Sequence, residues 1–220
     1  MANLVSSSRA LKGGIVLLDP GTSEVQRIIA LQYNPESLSR TLQVQAVGED
    51  GDRSQALRIR GPAVETLKLE AEMDALDQLR MSAADDETTE DGLLPDLAAL
   101  ESLVHPSSEA LLANQALADS GELEIFPMEE PLALFVWSKN RILPVRVTEL
   151  SVTEEAFDPR LVPIRAKVSL GLRVLSVDDL GFNHKGGTLF MSHLQNKEQL
   201  AGKAPRARLA TLGLELGDLQ

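Results

Sequence analysis

Eleven consecutive positions, Ile164 to Val174, alternate small or apolar residues with basic or polar ones. A period of two belongs to a half-buried β-strand. Ile164, Ala166, Val168, Leu170, Leu172 and Val174 are thereby assigned to a core face, and Arg165, Lys167 and Arg173 to a row on the opposite face. A basic sheet face calls for an acidic partner.

The same rhythm recurs. Gly14 to Asp19 and Val25 to Tyr33 read as strands joined by the turn Pro20-Gly21-Thr22-Ser23. Asn34-Pro35 breaks the pattern, because proline lacks an N–H and pushes the residue before it out of helical geometry. Leu38 to Val47 resumes it, with Leu38, Leu42, Val44 and Ala46 on one face and Ser39, Thr41, Gln43 and Gln45 on the other. Arg40 alone interrupts the apolar side. The Gly-bearing segment 48–54 is expected to form the tip of a long hairpin returning through 56–60. From Glu65 to Asp74, Leu67, Leu69, Ala71 and Met73 alternate with polar residues.

The middle is different. Residues 82–91 offer little to bury and read as a loop. Pro95 suits a first helical turn, predicting a helix from Asp96 to Val104. A second helix is expected from an N-cap at Ser107 or Ser108 through Ala118, ended by Gly121. Strands then return at Pro131 to Trp137, apolar on both sides and so expected in the middle of a sheet, and at Ile142 to Val147. Pro144 predicts that this second strand is an edge or is bulged. A further strand reads from Leu150 to Phe157. After Asp178-Asp179 the chain turns Gly- and Lys-rich, with five basic residues to one acidic from Asn183 to Arg208. This reads as an appended arm with a short helix around Met191 to Leu200.

At 220 residues the chain suffices for one sizeable core, or for one domain and an added segment. It has no Cys, which excludes disulfides and thiolate metal sites. The first residues hold no apolar run fit for a signal peptide, and no run of about 18 apolar residues occurs anywhere. Bacterial cytoplasm is the expected compartment. Net charge is −12 but unevenly spread: Glu70 to Glu130 holds 17 acidic residues against Arg80 alone. So acidic a chain is a poor binder of nucleic-acid phosphates. His184 and His193 lack carboxylates at zinc-ligand spacing and are expected at the surface. No GxSxG, HExxH or GxxxxGK[ST] occurs. Glu49, Asp50 and Asp52 lack the ordered pattern of a calcium loop. No catalytic residue, cofactor or metal is therefore assigned, and the chain is read as an assembly component and not an enzyme.

An ordered set of segments sharpens this. Tyr33-Asn34-Pro35-Glu36-Ser37-Leu38, Gly61-Pro62 leading into Leu67 to Glu72, and Leu94-Pro95-Asp96-Leu97-Ala98-Ala99-Leu100-Glu101 come first. Pro131 to Trp137 with Arg141 to Val147, and Glu154 to Pro159 with Pro163 to Ala166, follow. Across residues 12 to 176 the chain resembles the tube-related baseplate proteins of phage-like contractile injection systems. The resemblance implies an α+β, mainly β fold: a tail-tube-like β-barrel or two packed antiparallel sheets, with one or two helices. It implies residues 1–176 as a tail-tube-like domain with an acidic helical insertion at about 80–125, and 177–220 as an extension. That extension is either an arm or a degenerate LysM-like segment, since Gly186-Gly187-Thr188-Leu189-Phe190 is similar to the opening of such a module. The implied role is a ring, six-fold in such machines, connecting inner tube to central spike or hub. Its partners would be further copies of itself, the tube protein, the spike and other baseplate proteins, without nucleic acid or membrane. Arg165, Lys167, Arg173, Arg40, Gln43 and Gln45 are the expected contacts between subunits or layers. The alternative is a peptidoglycan-binding or prophage tail component.

Overall fold

The alternating segments do become strands, and their pairing decides the architecture. The computed structural model describes residues 11–46, 58–76, 91–121, 130–205 and 207–219. The expected hairpin tip at 48–54 and most of the 82–91 loop lie outside these residues. Among the described residues seven strands are formed: β1 (Gly14–Leu18), β2 (Val25–Ala30), β3 (Leu38–Gln43), β4 (Val64–Asp74), β5 (Leu132–Ser138), β6 (Arg141–Phe157) and β7 (Pro163–Val174). They make one antiparallel sheet in the order β2-β1-β5-β6-β7-β4-β3. The class is α+β and mainly β, with one continuous sheet in place of two separate ones.

The sheet curls round its own core. Ile15, Leu67, Leu69, Phe135, Leu143, Val168, Leu170 and Leu172 from five strands share one buried cluster. Helix α1 (Leu94–Glu101), earlier at both ends than the Asp96–Val104 reading but with Pro95 in its first turn as expected, fills the concave side through Leu97 and Leu100. Its approach is fixed by the Leu93 N–H donating to the Pro163 carbonyl at 3.0 Å. Just beyond β2, the Gln32 side chain spans to the end of β4, donating to the Asp74 carbonyl and accepting from the Asp74 N–H, both at 2.7 Å. One amide thus imitates a rung of ladder between strands that are not neighbours in the sheet. Asn34 similarly binds the backbone of residues 11 and 13.

One strand reading is corrected. Ile142 to Val147 and Leu150 to Phe157 belong to a single 17-residue strand, β6. A bulge between Val147 and Glu149 shifts the side-chain parity, so that Val147 and Leu150 face the same way, opposite Leu172 and Leu170. The strand holding Pro144 is bulged, one of the two expected outcomes, but Pro144 itself lies away from the bulge and not on an edge strand, since β6 lies between β5 and β7. Its carbonyl accepts from Leu175 N at 2.9 Å, one residue past the end of β7. The missing N–H faces the place where the ladder stops, and so costs little there.

β5 is central, and both faces are covered. Phe135 enters the main cluster, while Leu132 and Leu134 pack with Leu18, Leu180 and Leu189 in a second one. That second layer comes from the extension. After the short α3 (Val177–Leu180), α4 runs from Lys185 to Gly202, longer than the Met191–Leu200 reading, and buries Phe190 and His193. Gly186 and Gly187 are small because this helix starts in contact with its surroundings: a Cβ on Gly187 would collide with the Gly181 carbonyl, and one on Gly186 with Leu180. Two 3-10 turns, Leu209–Leu212 and Leu216–Leu219, follow. A LysM unit needs two strands, and none occurs among the described residues after 176. No helix among the described residues is long and apolar enough to cross a membrane.

Candidate assembly interface

The basic row on β7 stands where the alternation puts it, on the outer face, but neighbouring strands already answer it. In register, Asp74 lies opposite Arg165 and Glu72 opposite Lys167. The Arg165 guanidinium donates to the Asp74 carboxylate at 2.9 and 3.2 Å. Lys167 pairs with Glu155 of β6 at 2.9 Å, and Arg173 with Asp179 of α3 at 2.7 Å. Burial works against the charged Asp179, but the Ser176 backbone N–H and Arg173 outweigh it and hold the carboxyl below its usual range. Lys68 and Glu149, at 3.5 Å, extend the pattern. The outer face of β4, β7 and β6 is therefore a lattice of alternating charges and not a bare basic stripe.

Arg40 also has a partner inside the chain. On β3 it faces the same side as Leu67 across the register, toward the core, and donates to Glu65 at 2.8 Å. Lys197 of α4 reaches the other oxygen of Glu65 at 3.0 Å. Glu65 is 4% exposed. Its burial alone would raise its pKa, yet hydrogen bonds from Lys197 and Arg40 overcome this and lower it. One buried carboxylate thus ties together β3, β4 and α4. His193, one helical turn before Lys197, is buried beside this clamp, contrary to the surface position expected of it. Its Nδ1 has no hydrogen-bond partner among the described residues. Burial first, then the nearby Lys197, hold its pKa below the ordinary histidine value, against opposing contributions from the Asn140 backbone and Glu65.

The sequence did carry a signal for this clamp. Arg40 on the apolar parity of β3 and Glu65 on the apolar parity of β4 are opposite charges that each break an alternation. Two such breaks on neighbouring strands cancel. Lys197, on a distant helix, leaves no such trace.

Of the remaining expected contacts, Gln43 is exposed on edge strand β3. Gln45 donates to the Pro62 carbonyl at 2.7 Å and helps to hold 58–62 beside 44–46. Among the described residues sheet edges are open in four places: β2, β3, β4 beyond Leu69, where its ladder with β3 ends, and β6 beyond Val145, where β5 has ended. Val25 and Ile28 of β2 and Leu42 of β3 are exposed there. A groove of about 440 Å³ adjoins the start of the free β6 edge, lined by Leu17, Leu103, Pro106, Ala133, Val147 and Leu175 among others. Two of its polar groups already serve as helix caps: Ser107 accepts from Ala110 N, and His184 from Gly186 N, both at 3.1 Å. What this arrangement offers chemically is backbone pairing along open edges, framed by charge.

No protein-family model and no curated protein matches this chain. Among the solved structures that resemble it, two do so over 74% of its length and 90% of theirs. One is the tail of an empty gene transfer agent particle, computed with helical refinement in C6 symmetry, at 13% identity and TM-score 0.30. The other is the virion of a native gene transfer agent particle, at 11% identity and TM-score 0.28. Likeness at this level assigns no function, partner or symmetry to this chain.

Proposed function

We propose that this chain is a structural component of a phage-tail-like particle, forming a ring that connects the inner tube to the central spike or hub of a contractile baseplate. The observation that carries the reading is the edge of β6 from Arg146 to Phe157, which no described strand covers, on a curled antiparallel sheet whose outermost strands, β2 and β3, likewise have no described strand on their outer sides. An open edge is a template for further pairing, and a repeated head-to-tail contact that closes makes a ring. The ordered segments from Tyr33 to Ala166 that resemble tube-related baseplate proteins support the same role. The charge lattice on the outer face supplies orientation, because like charges repel a misplaced neighbour. Assembly is expected in bacterial cytoplasm, with further copies of the chain, the tube protein and the spike as partners.

The test is to purify particles through a tag on this chain and to image them by electron cryo-microscopy. Density for a ring of this chain between tube and spike, with β6 continued by a strand of the adjacent subunit, is the expected result. Particles that lack the chain, or in which it binds only as a peripheral monomer, overturn the reading.

A further inference from the structure

Two surfaces expose leucines that no other described residue buries. The first is α2 (Ser108–Asp119), a helix with no buried residue. Helices in proteins are held mostly by packing an apolar face, yet Leu111 is 53% exposed, Leu112 71% and Leu117 39%. Its own stretch of chain has a single sign of charge: residues 91–121 hold Asp91, Asp96, Glu101, Glu109 and Asp119, and no Lys or Arg, although Arg27 reaches Ser102 and Arg146 adjoins the start of the helix. The second surface is the segment 203–214 that follows α4. Leu212 is 69% exposed, and the 3-10 turn Leu209–Leu212 has no buried residue. Here the sign reverses, with Lys203 and Arg208 present and no Asp or Glu.

We propose that residues 203–214 of one copy dock on the acidic α2 face of a second copy. Both faces are exposed within the same chain, so the chain does not use one to cover the other. Each has the apolar content and the charge the other lacks, and complementary charge fixes which partner is accepted. The two patches differ, so the contact is head-to-tail: each copy gives a tail and receives one, and the contact propagates from copy to copy. It depends on neither the tube nor the spike.

The absence of Cys makes the test direct, since introduced thiols are the only ones present. Full-length Leu112→Cys and Leu212→Cys, carrying tags of different size, are mixed and oxidised. The expected result is a mixed dimer at least about tenfold more abundant than either homodimer. Lys203→Glu with Arg208→Glu lowers that yield about tenfold, as does 1 M salt, where the screening length is about 3 Å. Unchanged circular dichroism shows that the charge variants still fold. The double variant Leu112→Cys/Leu212→Cys gives a ladder beyond the dimer. A double variant that closes within one chain, homodimers as abundant as the mixed species, or no cross-link at all overturns the proposal. None of these results depends on whether a particle co-purifies, so a failure here is distinct from a failure of the ring role.

Discussion

Replacing Glu65 by Gln is the most informative perturbation of the fold. The carboxylate side chain is 5% exposed and held at 2.8 Å by Arg40 and at 3.0 Å by Lys197. Breaking a buried ion pair costs about 3–5 kcal/mol when a fully buried charge is stranded. Here the stranded groups are the cations, whose side chains are 29% and 34% exposed and can turn toward water. The expected loss is accordingly about 2–3 kcal/mol, below the fully buried figure. Urea unfolding followed by Trp137, the single tryptophan, reads this as a midpoint lowered by about 1 M, for a slope near 2–3 kcal/mol/M. A second signature is acid sensitivity. The folded-state pKa of Glu65 is lowered, so its contribution is complete above the ordinary carboxyl value of 4.5 and is lost as pH falls through the lower folded value. Glu65→Gln should lack that part of the acid transition. The combination Glu65→Leu, Arg40→Leu and Lys197→Met removes every charge at once and should recover much of the loss. A Glu65→Gln midpoint indistinguishable from the parent, with the same acid slope, would refute the idea that this carboxylate ties β3 and α4 to the sheet.

Four other outcomes follow from the same geometry. His193 favours its neutral form in the folded chain, facing Lys197, Glu65 and Arg141, so stability should begin to fall as pH drops below 6.5, and His193→Gln should flatten that step in urea titrations. Gln32→Ala removes both bonds to Asp74 and should cost about 1–2 kcal/mol, with faster hydrogen exchange at the Asp74 amide. Gly187→Ala collides with the Gly181 carbonyl and should cost about 1–3 kcal/mol, whereas Gly202→Ala meets open space in the same helix and should be neutral or stabilising by thermal melting. Reversing Arg165, Lys167 and Arg173 to Glu sets each against Asp74, Glu155 or Asp179, so the melting temperature should fall at low salt and partly recover at high salt.

Strand identity was legible wherever one face is wet. The Ile164–Val174 alternation and the Leu67–Met73 alternation both emerge with the expected residues buried, save Ile164 at the strand's start, which is half-buried. The parity rule failed where the backbone itself departs from strict pairing. The bulge at Val147 to Glu149 divided one long strand into two apparent ones, and the end of β7 excused Pro144. The basic row was read correctly as facing outward. Its acidic partners were hidden, because Asp74 and Glu155 come beside it only through a register that no local pattern announces. The extension was the hardest segment to read. Its burial depends on close contact of a Gly-Gly helix start with α3, and composition reports glycine as flexibility before it reports it as proximity.

The strand order also dictates a timetable. β5, β6 and β7 follow one another in the chain and pair as a local meander, whereas β1 pairs only with β2 and β5, and Asp74 meets Arg165 across 91 residues. Distant pairings are slow to form because the intervening loop must first be closed. On a ribosome, both early hairpins emerge before the strands that shelter them have been made. Leu67, Leu69 and Ile15 must then wait, exposed, until β7 and β5 arrive, so a product truncated before Pro163 is expected to aggregate.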